Sequence, residues 1–230
     1  MAPPVIAQES LIPHQDSDAS TESELRPFSS SPMLAGGGTA FSEHLEKQFV
    51  LMSSVFFGIP TEFVSSAYET DARVNYDPFN PYAGCRNIVV GDDLLKKIFD
   101  MPYSFERLIG VMAHELAHCF QLQTGTIEAL QEVRQHAVKF IELHADYMAG
   151  QALAWRAHHL KSNPDEVALM FFEYGDENLS SRQHHGTPRE RLISFVSGYH
   201  DYDPQEHQPR PNPLTSSAKG ILYIRKAFGF

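Results

Sequence analysis

Apolar residues recur at three- and four-residue spacing along most of this 230-residue chain, which is the pattern of helices with one buried face. Leu45, Phe49, Met52 and Val55 or Phe56 predict a helix over Phe41–Phe57, stopped by Gly58 and Pro60. Phe105, Leu108, Ile109, Met112, Leu116, Cys119 and Phe120 predict a second, from a Ser104 cap to about Gln123, with Gly125 ending it. A third pattern runs from Thr126 to Lys161, where Ala145, Ala149 and Ala152 would let another helix come close. Asn163-Pro164 starts a fourth by cap and first-turn proline. Thr187-Pro188-Arg189-Glu190 starts a fifth with a capping box. Between the first two helices, Ile88-Val89-Val90 is a short β-branched run bounded by Asn87 and Gly91. Asp92 to Lys97 then places acids before bases, as a short helix prefers. The expected fold class is α+β, mainly helical, with a small sheet whose edge strand lies beside the Ser104–Gln123 helix.

Flanking segments differ in character. Residues 1–32 hold seven Ser, five Pro and a net charge of −4. Such a segment buries too little apolar area to offset its ordering entropy. Residues 1–40 are therefore expected to be a disordered leader, hinged at Gly36-Gly37-Gly38. Residues 41–200 would form the folded domain. Residues 201–230 read as a Pro-rich extension ending in the apolar ILYIRKAFGF.

Charge and composition narrow the function classes. The net charge of −11 lacks the basic footprint of a nucleic-acid binder. No apolar run is long enough for a membrane span, and the N-terminus lacks the basic and apolar regions of a secretory signal. The expected place is the cytoplasm, with signal-less export through the leader as the other route. Cys85 and Cys119 are expected to be reduced, buried thiols.

The chemistry lies in His114-Glu115-Leu116-Ala117-His118, an H-E-x-x-H motif inside the second helix. Residues four apart share a helix face about 6 Å apart. Two imidazoles there can converge on one zinc ion. Glu115 points about 100° around the helix, away from the metal but within reach of its water. Zinc would acidify that water, and Glu115 would take its proton. Two histidines and a glutamate on an otherwise apolar helix are costly to bury without such a partner.

A catalytic zinc needs a third protein ligand. His136, Glu142, His144, Asp146, His184 and His185 are the candidates. Glu142 and Asp146 lie four apart in an apolar stretch and share a face, with His144 pointing elsewhere. A turn at Gly125 would fold the following helix back and bring Glu142 to the histidines. Asp146 could then hold a ligand imidazole by its other nitrogen.

HELAH, ELHADYMAG and HGTPRER together resemble the three-motif signature of the gluzincin metallopeptidases, the HtpX-type and minigluzincin proteins and the YpfJ-type neutral zinc metallopeptidases. The likeness covers about residues 80–200. It implies His114, His118 and Glu142 as zinc ligands, Glu115 as base, and Asp146 behind the site. It also implies a substrate-facing His185, with Arg191 paired to the acids. The segment Asn80–Gly84 is similar to the family's approach to its active-site edge strand, with Pro81 as a departure. A peptide would then add as a strand along Ile88, Val89 and Val90, and His185 or Tyr199 would donate to the oxyanion. The expected function is zinc-dependent endopeptidase. The alternatives are a zinc hydrolase of a non-peptide amide and a proteolytically silent zinc module that works by binding.

Overall fold

The computed structural model describes residues 25–28, 38–59, 61–77, 79–131, 137–160, 163–179, 181, 184–204 and 210–229. Gly36 and Gly37 of the expected hinge lie outside the described residues, as does His136. In chain order the elements are β1 (Arg26–Pro27), α1 (Gly38–Val55), β2 (Glu62–Ser66), β3 (Ala72–Tyr76), β4 (Cys85–Gly91), α2 (Asp92–Phe99), α3 (Ser104–Thr124), α4 (Thr126–Gln131), α5 (Ala137–Leu160), α6 (Pro164–Glu173), α7 (Pro188–His200) and α8 (Pro213–Phe228). The class is α+β, as the sequence predicts. No described helix is long and apolar enough to cross a membrane.

Among the described residues, four strands form one mixed sheet in the order β1-β2-β4-β3. β4 pairs in parallel with β2 and antiparallel with β3. It is therefore an inner strand, and Ile88, Val89 and Val90 are wholly buried. This corrects the expectation that they form the substrate edge. A strand bonded on both sides has no ladder groups left for a peptide. The edge strand next to α3 is β3. Its five residues, Ala-Arg-Val-Asn-Tyr, carry too short and too polar a pattern to stand out in the sequence.

Helix α3 runs through the core. Leu108, Ile109, Met112, Leu116 and Phe120 are buried against the sheet and α5. Its start differs from expectation. The residue before the helix is Tyr103, in the left-handed region with φ 57°, and Ser104 is the first helical residue rather than the cap. Its end is as expected, at Gly125 with φ 68°. The caps of α6 and α7 also match. Asn163 accepts from the Asp165 N–H, and Thr187 and Glu190 form a reciprocal capping box.

The long pattern after Gly125 appears as α4 and α5. Ala145, Ala149 and Ala152 are buried as small residues at a close crossing should be. Two glycines finish that crossing. A Cβ on Gly150 would lie 2.2 Å from the Phe195 carbonyl oxygen, and one on Gly198 would clash with the Tyr147 carbonyl. α5 and α7 thus pack backbone to backbone.

Both flanks contribute more than the sequence suggests. Within the expected leader, β1 pairs antiparallel with β2, Phe28 is buried, and Arg26 reaches Asp92 at 2.7 Å. The expected extension contains α8, capped by Asn212 with Pro213 in the first turn and packed on α5. Asn212-Pro213 repeats the signal of Asn163-Pro164. The surrounding prolines hid it.

Cys85 and Cys119 form a disulfide, with Cα atoms 5.3 Å apart. This corrects the expectation of free thiols. Cys85 opens β4 and Cys119 lies on the face of α3 that packs near it. Two residues 34 apart in sequence therefore meet only through the tertiary fold.

Candidate metal centre

His114 and His118 sit one turn apart on α3 and face Glu142 of α5. Their Nε2 atoms are 3.0 Å apart. Glu142 places Oε2 3.3 Å from His114 Nε2 and Oε1 3.3 Å from His118 Nε2. Donors bound tetrahedrally at about 2.0–2.1 Å lie about 3.3 Å from each other, so the spacing fits one metal ion. The three residues are buried and could hold such an ion. The chemistry fits as well. Two ring nitrogens face each other across a carboxylate, and a cation between them would satisfy all three groups.

The site has a supporting layer. Asp146, one turn after Glu142, lies 2.9 Å from His114 Nδ1, off the line of a straight hydrogen bond. Arg191 of α7 donates to Asp146 twice, from Nε to Oδ2 at 2.9 Å and from a terminal nitrogen to Oδ1 at 2.8 Å. The same nitrogen lies 3.6 Å from Glu142. The guanidinium also lies over the Phe171 ring. Burial disfavours the charged Arg191, but Asp146 and Glu142 outweigh it and raise its pKa.

The same balance governs the ligands. Burial opposes a charged His114, yet Asp146 and Glu142 hold its pKa up at about 10. Burial would raise Glu142, but His118, His114 and His185 hold it well below the usual carboxylate range. Glu115 behaves differently. Burial raises its carboxyl, with His118 and His114 only partly opposing. Of the two cleft carboxyls, Glu115 is thus the one pushed up and Glu142 the one held down.

Glu115 lines a cleft with His114, His118, Glu142, His185 and the β3 residues Ala72–Val74. Leu94, Val111, Met170, Phe171 and Tyr174 complete the apolar side. The cavity is about 110 Å³, well below the roughly 300–1,000 Å³ of a drug-sized ligand pocket.

The two adjacent histidines divide their roles. His185 is half-buried, faces the cleft, and has Nδ1 3.5 Å from Glu142 Oε2. His184 is buried with Nδ1 2.7 Å from Asp176. The other Asp176 oxygen accepts the His185 backbone N–H at 2.8 Å, so Asp176 fixes the turn that presents His185. Tyr199 is not at the cleft. It packs on Phe195, which removes it as an oxyanion donor. Ile88, Val89 and Val90 are not there either.

Gln121, which bonds His118 Nδ1 at 2.8 Å, was not among the expected site residues. His144 was a candidate ligand, but it lies outside the donor set and bonds Gln121 at 2.9 Å instead. Gln121 had a usable signal: it is a polar residue three positions after His118, on a buried face. Compared with known proteins, the chain matches no protein-family model and has no significant match among curated proteins or solved structures.

Proposed function

We propose that this chain is a zinc-dependent peptidase of the gluzincin kind. One observation carries the reading: Glu115 lines the same cleft as the His114–His118–Glu142 donor set, beside β3, an edge strand of the sheet among the described residues. Zinc suits two imidazoles and a carboxylate at tetrahedral spacing. When bound, it would supply Lewis acidity, polarising a carbonyl and making water acidic enough to attack near neutral pH.

The chain's own residues divide the remaining work. The backbone of Ala72–Val74 offers an extended peptide a strand to pair with. The cavity has room for about one side chain, and Leu94, Val111, Met170 and Phe171 favour an apolar one. Glu115 takes the proton of the attacking water and returns it to the leaving amine. His185, at the cleft edge, is the donor to the developing oxyanion. Asp146 and Arg191 hold His114 and Glu142 in place. The Cys85–Cys119 bridge favours an oxidising compartment over the cytoplasm expected from sequence.

The test is cleavage of a diverse peptide library by wild type and Glu115→Gln, with zinc measured on both. Cleavage by wild type alone, at equal zinc content, supports the proposal. Equal cleavage by both removes Glu115 from the base role, and bound zinc without cleavage by either points to the silent binding module.

A further inference from the structure

We infer that the last helix, α8, helps to set which ring nitrogen of His118 carries the hydrogen, and so leaves the Nε2 lone pair for the metal site, acting through His144 and Gln121 as positioning residues. The inference rests on the metal-site reading above. The Ser217 main-chain carbonyl can only accept a hydrogen bond. It lies 3.1 Å from His144 Nε2, so that nitrogen carries the hydrogen. A neutral His144 then has its lone pair on Nδ1. Gln121 Nε2 lies 2.9 Å from His144 Nδ1 and 2.9 Å from the Ile141 carbonyl oxygen. Both are acceptors, and the amide nitrogen has two hydrogens to give. Gln121 Oε1 therefore faces the other way, 2.8 Å from His118 Nδ1, which must be the donor. A neutral His118 with its hydrogen on Nδ1 has its lone pair on Nε2. That is the atom 3.0 Å from His114 Nε2 and 3.3 Å from Glu142 Oε1.

Two main-chain carbonyls thus impose one orientation, Ile141 from α5 and Ser217 from α8. A flipped Gln121 would put its oxygen against the Ile141 carbonyl. The Ser217 hydroxyl fits the same pattern. It lies 3.3 Å from His144 Nε2, where it can accept, and 3.4 Å from Thr126 Oγ1, to which it can donate. Gln121, His144, His118 and Ser217 are all buried, so a wrong orientation leaves polar groups unpaired away from water. Gly220 allows the approach. A Cβ there would lie 2.9 Å from His144 Cδ2 and 3.0 Å from Tyr147 Cδ1. α8 can reach His144 because position 220 has no side chain.

This relay gives the C-terminal helix a part in metal binding although it supplies no ligand. Partners of ligand imidazoles typically affect metal affinity by about 10–100-fold. The test uses the full chain, with zinc as the probe. His144→Phe keeps ring bulk and removes both hydrogen-bond roles, so zinc affinity should fall by about that factor. His144→Gln can still accept from Gln121 and donate to Ser217, so it should restore affinity close to wild type. Long-range proton–nitrogen NMR on the wild type supplies an independent readout that needs no variant to fold. It should place the hydrogen of His144 on Nε2 and that of His118 on Nδ1. A His144 hydrogen on Nδ1, or a folded His144→Phe protein with wild-type zinc affinity, would overturn the relay. If wild type and His114→Ala both fail to bind zinc, the metal-site reading falls, and the NMR assignment of the wild type still decides the relay.

Discussion

Arg191 holds Asp146 in a two-bonded ion pair, with N–H···O distances of 2.9 and 2.8 Å, both side chains buried. The pair joins α7 to α5 directly behind His114. Removing one partner of a buried pair strands the other charge, which typically costs about 3–5 kcal/mol.

Arg191→Ala should therefore lower unfolding stability by about 3–5 kcal/mol, measured by urea denaturation of the zinc-loaded protein. Arg191→Lys keeps the charge but loses the planar two-bond grip. It should recover part of the stability. An Arg191→Ala protein as stable as wild type would show that the pair is not what holds α7 on α5.

Metal uptake should release a proton. The carboxylates of Asp146 and Glu142 hold His114 protonated up to about pH 10, and a coordinating imidazole must be neutral. Binding at neutral pH then displaces about one proton from His114, and apparent zinc affinity should rise about tenfold per pH unit below that pKa. Calorimetry in buffers of different ionisation enthalpy measures the proton count. No release would mean that His114 is already neutral in the metal-free protein.

His144 should make the fold acid-sensitive. Burial is the main cause that pushes its pKa down to about 4, with the Ser217 carbonyl opposing and nearby His118 adding to the drop. Between about pH 4 and 6.5 the unfolded chain binds more protons at this residue than the folded one. The contribution is fully present above about pH 6.5 and is lost as pH falls towards 4, about 3 kcal/mol in all. The groups that face the ring are His118 and Gln121 from α3 and Ser217 from α8. Replacing His144 by Gln should flatten the urea midpoint against pH in that window. An unchanged slope would assign the acid sensitivity elsewhere.

Reduction should loosen the link between α3 and β4. Closing a 34-residue separation restricts the unfolded chain by about 3–4 kcal/mol in the loop-entropy view. The Cys85→Ala/Cys119→Ala protein should lose stability of that order. Protein purified without reductant and then unfolded should titrate no free thiol. Two free thiols would restore the expectation drawn from composition.

The helices that carry the site were legible because their signals are local. His114, Glu115 and His118 lie on a helix marked by seven apolar residues at helical spacing, and the Thr187–Glu190 box announces α7 from its own residues. The edge of the sheet was not. Ile88–Val90 has the strongest strand pattern because it is buried between two neighbours. The true edge, Ala72–Tyr76, is half-exposed and weakly patterned for the same physical reason.

By itself, the sequence determined the helical periodicity, three of the caps and ends, and the pairing of two imidazoles at helical spacing with Glu142 four residues before Asp146. Each of these follows from contacts within a few residues, where residue type and spacing suffice. Tertiary structure decided which strand lies open, whether Cys85 meets Cys119, which of His184 and His185 faces the cleft, and that a C-terminal helix reaches His118 through His144. Those outcomes depend on partners 34 to 73 residues away or on what covers a surface, and no local pattern encodes the position of a distant neighbour.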